Sequence, residues 1–145
     1  MSSPNTEGVR AQLSTLLGRD NAAKALGVSL KNAAPGRVSI KMTIRSVHLN
    51  FMGWAHGGVI FSFADTAFGL ASNSHDKASV GIDAHIAYLS GVREGDEIVA
   101  AASEISRTRR KAVYRIDVRR PSDDAEIAAF TGTVYVTEQD LDLES

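Results

Sequence analysis

From Val59 to Ala71 the chain reads VIFSFADTAFGLA, and Val59, Ile60, Phe61, Phe63, Ala64, Ala67, Phe68, Leu70 and Ala71 fall on nearly every side of a helical wheel. A helix at a protein surface shows one apolar stripe, whereas one that is apolar all round has to be covered on most sides. The pattern between Asn50 and Ser74 therefore predicts a core helix of about four or five turns, and the rest of the chain has to close around it. One charged side chain, Asp65, interrupts the apolar run.

The flanking segments supply the wrapping. Val9, Leu13, Leu16 and Leu17 lie at helical spacing and stop near Gly18, with a further turn from Ala22 to Leu26. After Gly36, Val38, Ile40, Met42 and Ile44 alternate with Arg37, Ser39, Lys41, Thr43 and Arg45, the pattern of a strand with one wet face. Further runs of strand character cover residues 79–89, 97–106, 112–119 and 127–136. Between them lie Ser90-Gly91 with Glu94-Gly95-Asp96, the basic stretch RTRRK, and Pro121-Ser122-Asp123-Asp124, all turn chemistry. Successive strands joined by short turns argue for an antiparallel sheet. The expected class is α+β: a curved antiparallel sheet of five to six strands wrapped around one long buried helix. Its outer strands are open edges, which predicts pairing between subunits.

No linker, repeat or low-complexity tract divides the sequence, so residues 1–145 are expected to form one domain, with 1–28 as an N-terminal helical segment and 138–145 as an acidic tail. A chain of 145 residues buries a single core without staples. The absence of cysteine excludes disulfide scaffolds, thiolate metal sites and a cysteine nucleophile. Sixteen Lys and Arg against seventeen Asp and Glu leave a net charge of -1, which argues against nucleic acid or an anionic membrane as partner. No apolar run approaches the ~18 residues of a membrane span, and MSSPNTEGVR lacks the cationic start of a signal peptide, so a cytoplasmic location is expected. None of His48, His56, His75 and His85 stands at the i, i+4 spacing of a helical zinc pair, and no metal site is expected.

His56-Gly57-Gly58 falls where the core helix should begin. The first N–H groups of a helix have no intrahelical partner and carry the positive end of its dipole, so they suit an oxygen that gains negative charge during a reaction. Two glycines let a ligand approach the backbone, or else make a tight turn. Asp65 is a poor helix former in an apolar setting. It is either a carboxylate bonded to a backbone group, to Thr66 or to a cation across a subunit contact, or a general base or nucleophile whose basicity is raised by partial burial. Nine residues separate His56 from Asp65. On one helix they would point to opposite sides, roughly 13 Å apart. If both serve one site, the simplest solution sets Asp65 of one subunit against the Gly57 helix start of a second, with two equivalent sites about a twofold axis.

The stretch from Asn50 to Phe68, with the strands that follow, resembles the hot-dog fold thioesterases and most closely their phenylacetic-acid-degradation (PaaI-type) branch. Asn50, Gly53, His56, Gly57, Gly58 and Asp65 fill that branch's signature positions, and ADTAF is typical of it. The resemblance covers roughly residues 30 to 137. It implies hydrolysis of an acyl-coenzyme A thioester without a cofactor. It gives Asp65 the role of general base or nucleophile, the Gly57 N–H that of polarising the carbonyl, and His56 that of orienting the carbonyl or the sulfur. Asn50 is implied to orient the water or the carbonyl, with Gly58 and Thr66 beside the substrate. Aryl acyl groups such as phenylacetyl or hydroxyphenylacetyl, or medium-chain ones, are favoured on the same basis, and Phe51, Met52, Trp54, Phe61, Phe63, Phe68 and Leu70 form an apolar pocket or fill the core. A homotetramer, a dimer of dimers, is the implied assembly.

One position departs from the pattern. Where some related thioesterases carry a serine or threonine on the strand after the core helix, this sequence has Gly81. A hydroxyl role then falls to Thr66 or is absent, and bonding of Thr66 to its own helix carbonyl is the favoured expectation. Asp83 and His85 are expected on the same strand face as Gly81. Seven of the sixteen cations lie between Arg107 and Arg120; Arg107, Arg109 and Arg110 suit the phosphates of coenzyme A, or form a solvated turn. Two other readings remain open on sequence, a hot-dog hydratase or dehydratase acting on enoyl or hydroxyacyl thioesters, and a non-catalytic acyl-coenzyme A binding module.

Overall fold

A computed structural model describes residues 6–144. The first five residues of the expected 1–28 helical segment, and Ser145 of the expected tail, lie outside the described residues. Helices α1 (Thr6–Arg19) and α2 (Asn21–Leu26) lead into strands β1 (Ser29–Ala34) and β2 (Arg37–Thr43), then α3 (Gly57–Ser72), then β3 (Lys77–Tyr88), β4 (Glu97–Arg107), β5 (Lys111–Arg120) and β6 (Ala125–Asp140). The six strands form one antiparallel sheet in the order β1-β2-β4-β5-β6-β3. The sheet curls around α3, which packs on β2 through β6, while α1 packs mainly on β1 and α2 on α3. This is the α+β class expected, with the buried helix where its all-round apolarity demands.

Two strands precede the long helix, not the one that the hydrophobic pattern predicts. The extra strand, β1, has the sequence SLKNAA, with scant alternation and a slip in register between Leu30 and Asn32. Its period of two is broken, so its place at the sheet edge is set by pairing with β2 rather than by local pattern. The tail is shorter than expected as well. Strand β6 runs on to Asp140, and Glu138 and Asp140 pair with Arg110 and Lys77.

The helix sits deep because the sheet has no side chains beneath part of it. Phe63, Ala64, Ala67 and Ala71 have no exposed surface, and Phe68 is 4% exposed. The Phe68 ring lies on Gly81 of β3 and Gly132 of β6, where a Cβ would stand 3.2 Å and 2.7 Å from it. Edge-on or tilted contacts with Tyr114 and Phe130, at 6.0 and 5.5 Å between ring centroids, complete the seat. Fully burying a phenylalanine contributes roughly 1.5–3 kcal/mol, and the two glycines let it happen without lifting the helix.

The same strand carries a correction. Gly81 pairs with the buried Val134, but Asp83 pairs with Thr133, because the register slips at Ile82. The bulge turns Asp83 and His85 to the outer face with Thr133 and Thr131, opposite to Gly81. They line no part of the helix-facing interior.

Gly132→Ala should cost about 1–3 kcal/mol by overpacking, read as a lower denaturant midpoint, and Phe68→Leu in the same chain should return part of it. Unchanged stability in Gly132→Ala would contradict this account of the seat.

Candidate active site

The helix start is assembled by a short loop. Leu49 bridges Ala55, the His56 N–H donates to the His48 carbonyl at 2.8 Å, and the Asn50 N–H donates to the Trp54 carbonyl at 2.7 Å. Asn50 holds the loop's tip: its Oδ1 accepts from the N–H groups of Met52 (2.9 Å) and Trp54 (3.1 Å). That leaves its amide N–H groups to act outward. His56 is the N-cap of α3, and its Nδ1 accepts from the Gly58 N–H at 2.8 Å. A ring whose Nδ1 accepts carries its proton on Nε2, so the exposed His56 ring keeps a donor beside the helix start. Gly58 thus serves the cap. The Gly57 N–H, first of the helix, finds no acceptor among the described residues. Its carbonyl takes the Tyr88 hydroxyl at 3.0 Å, a contact that sequence reasoning did not anticipate. A cavity of about 340 Å³ opens here between Gly57, Ile60, Tyr88 and Val92.

Asp65 belongs to a different opening. It lies eight residues on, about 12 Å along the helix axis, in a cleft of about 540 Å³ between α3, the α1–α2 corner and Leu141 after β6. Among the described residues it makes no hydrogen bond or salt bridge. Thr66, the neighbour that might have held it, donates its hydroxyl to the Ser62 carbonyl of its own helix at 2.7 Å. The bland reading of Asp65 as a carboxylate satisfied within its own chain is therefore not what the molecule does. Its side chain opens on the cleft, yet enough protein surrounds it to push its carboxyl above the ordinary 3.8, burial being the larger cause and the charge of Asp20 the second. Sequence reasoning missed Asp20 at this site. Its capping position at the head of NAAKAL was legible, but its facing Asp65 depends on how α2 folds back.

Residues 52–127 match the thioesterase superfamily. The chain belongs to that superfamily. Within it the chain is of the hot-dog, PaaI type, an acyl-coenzyme A thioester hydrolase. It is 39% identical over 112 residues to a putative esterase of Deinococcus radiodurans, spanning 77% of this chain and 76% of that one. It is 35% identical over 99 residues to the acyl-coenzyme A thioesterase PaaI of Escherichia coli K12, spanning 68% and 71%. The solved structure of E. coli PaaI, from the phenylacetic acid degradation operon, superposes with a TM-score of 0.91 at 28% identity, covering 94% of this chain and 99% of that one. A Streptococcus mutans protein solved bound to acetyl CoA superposes at 0.74 with 28% identity, covering 77% and 90%.

In this thioesterase the basic turn lies at the other end of the molecule from Gly57. The β4–β5 turn neighbours Gly36, whose carbonyl accepts from the Glu104 N–H, and the start of β3, whereas Gly57 neighbours the end of β3 at Tyr88. Arg107 turns inward to Glu104, at 3.8 Å. Burial works to raise the Glu104 carboxyl, but hydrogen bonds from Tyr114 (2.6 Å) and His75 (2.8 Å) hold it below its ordinary value. Arg109 and Arg110 share Glu138, at 3.6 and 2.5 Å. Arg109 is the most open of the three, its side chain 81% exposed.

The loop that sets Asn50 and His56 depends on His48, which is 3% exposed and accepts the Arg45 N–H on Nδ1 at 2.9 Å. Burial, and then the Arg45 charge, hold its pKa below 6.5. A histidine with a lowered folded pKa contributes stability that is full above the unfolded value and is lost as pH falls from there through the folded one. The urea midpoint should accordingly drop as pH is lowered from 6.5, and His48→Asn should flatten that slope. Parallel pH dependence in both proteins would exclude His48 as the group.

Proposed function

We propose that this thioesterase hydrolyses aryl- or medium-chain acyl-coenzyme A, of the phenylacetyl or hydroxyphenylacetyl kind, at a site formed by two subunits in the cytoplasm, where such esters are made and used. The observation that carries this reading is the separation of the two half-sites. The oxyanion donor at Gly57 opens on one cavity and the unpartnered Asp65 on another.

A twofold axis near the middle of β3 joins them. That strand is the edge of the sheet, with Val80 and Ile82 each more than half exposed, and antiparallel pairing with its copy satisfies an otherwise open edge. The two α3 helices then run past each other, and Asp65, near the middle of its helix, faces the helix start of the partner. The start of one β3 comes beside the end of the other, which brings the basic turn of one subunit to the Gly57 cavity of its partner. Pairing of two such dimers over the outer sheet face, where Val113, Ala129 and Tyr135 are incompletely covered, gives a tetramer.

The chemistry follows from the donors present. The thioester carbonyl accepts from the Gly57 N–H, with the Nε2–H of His56 reaching the carbonyl or the sulfur and the Asn50 amide donating to the carbonyl or the water. Asp65 takes a proton from that water. Phe61, Leu16, Leu26 and Leu70 give the cleft an apolar wall suited to the acyl group. The exposed guanidiniums of Arg109 and Arg110, and that of Arg107 less directly, supply the phosphate contacts of the nucleotide end.

Asp65→Asn should lower thiol release from these esters by at least ~10²-fold, as removal of a general base does, with the fold and assembly intact. Release from no ester by the wild type would overturn the assignment. Neutralising Arg109 and Arg110 together should raise KM for the coenzyme A ester but not for the matching pantetheine ester; an equal effect on both would remove the phosphate role.

A further inference from the structure

Among the described residues lining the cleft, Asp65 has one other ionisable side chain for company. Asp20 stands at the corner between α1 and α2, outside the residues 52–127 that match the superfamily. Its position is fixed twice over. As N-cap of α2 it accepts the Ala23 N–H on Oδ1 at 3.0 Å, and α2 in turn packs on α3 and is closed by Gly27 at φ 80, whose N–H bonds back into the helix. A helix capped at both ends is a rigid mount, so the carboxylate is held at the cleft rather than swinging into solvent.

The other walls that this chain supplies bring no charge, and in the proposed dimer the titratable group facing Asp65 is the partner's His56 at its helix start. Leu16 comes from α1, Ala22 and Leu26 from α2, Leu141 from the chain after β6, and α3 presents only neutral side chains around Asp65 itself. No cation stands between the two carboxylates among the described residues lining the cleft. Like charges in one cleft with no cation between them disfavour each other's ionised form. Asp20 is fixed by its cap bond, whereas Asp65 has no hydrogen bond to hold it in the charged form.

We propose that Asp20 is a positioning carboxylate for hydrolysis, a fixed negative charge in the same cleft as Asp65 that favours transfer of the attacking water's proton to Asp65. This rests on Asp65 being the base. In the step itself a water O–H bond breaks, its proton goes to Asp65, and the water oxygen bonds the thioester carbonyl carbon. The tetrahedral adduct then expels the sulfur, which takes the proton from Asp65, leaving the free acid and coenzyme A. Asp20 exchanges no proton. The direction of the Asp65 shift, upward by burial and by Asp20, accords with this geometry.

The test is Asp20→Asn, because asparagine caps a helix about as well as aspartate and lacks the charge; Asp20→Ser, a second neutral cap, guards against an effect peculiar to the amide. The acid limb of kcat/KM for an acyl-coenzyme A ester should move to lower pH in both variants, and plateau kcat should fall a few-fold with KM and thermal stability little changed. An acid limb that superposes on the wild type would overturn the proposal. So would a loss confined to acyl groups bearing a hydroxyl, which would make Asp20 a substrate contact. Asp65→Asn assayed alongside separates the two claims. If it is inactive while the Asp20 profiles are unchanged, only the role of Asp20 falls; if it keeps turnover, the reading of Asp65 as base falls first.

Discussion

Phe68 lying on Gly81 and Gly132 sets the depth of the core helix, and the rest of the site follows from that depth. With side chains at those two sheet positions the ring would be pushed outward and α3 lifted with it. Seated as it is, the helix buries Phe63, Ala64, Ala67 and Ala71 against the sheet and leaves its N-terminus and its Asp65 face turned away from the sheet interior. The glycine that replaces a hydroxyl residue at position 81 thus has a packing role in this chain. The same absence of a side chain that removes a hydroxyl from the strand makes room for the aromatic ring.

The second constraint is electrostatic. A carboxylate in partly apolar surroundings is costly unless something compensates for it, and Asp65 has neither hydrogen bond nor cation within its own described chain. Thr66 is committed to Ser62, and Asn50 spends its carbonyl oxygen on its own loop. What remains available are three donors on the loop and helix start, the Gly57 N–H, the Nε2–H of His56 and the amide of Asn50, with Gly57 lining one opening and the Asp65 carboxylate, which has no partner among the described residues, lining another. Donors for a developing oxyanion and a base for water are complementary halves of an acyl-transfer site, and in the proposed dimer a twofold contact along β3 unites them.

Much of this was legible in the sequence because it lives in local pattern. The all-round apolar run marked the helix and alternation marked β2, while the HGG-to-Asp spacing picked out Gly57 and Asp65, which line two separate openings. What escaped notice depends on tertiary geometry. Strand β1 carries a register slip that erases its period of two. The bulge at Ile82 puts Asp83 and His85 on the opposite face from Gly81, and a bulge has no marker in alternation alone. Arg107 reads as one of a basic cluster, yet Glu104, held by Tyr114 and His75, draws it inward. Asp20 went unread in the sequence; that it caps α2 and shares a cleft with Asp65 follows from the way α2 folds onto α3, which no spacing encodes.

The claim that each active site is built from two subunits is tested most directly by mixing two variants expected to be inactive, Asp65→Asn and Gly57→Pro, dissociating them and allowing reassembly. The second removes the N–H at the first helical position, where proline is tolerated. If the site is shared, half of the mixed dimers' sites draw both intact groups from different chains, and about a quarter of wild-type activity should return under random pairing. If mixed dimers form and no activity returns, Asp65 and Gly57 act within one chain and the shared-site account is wrong.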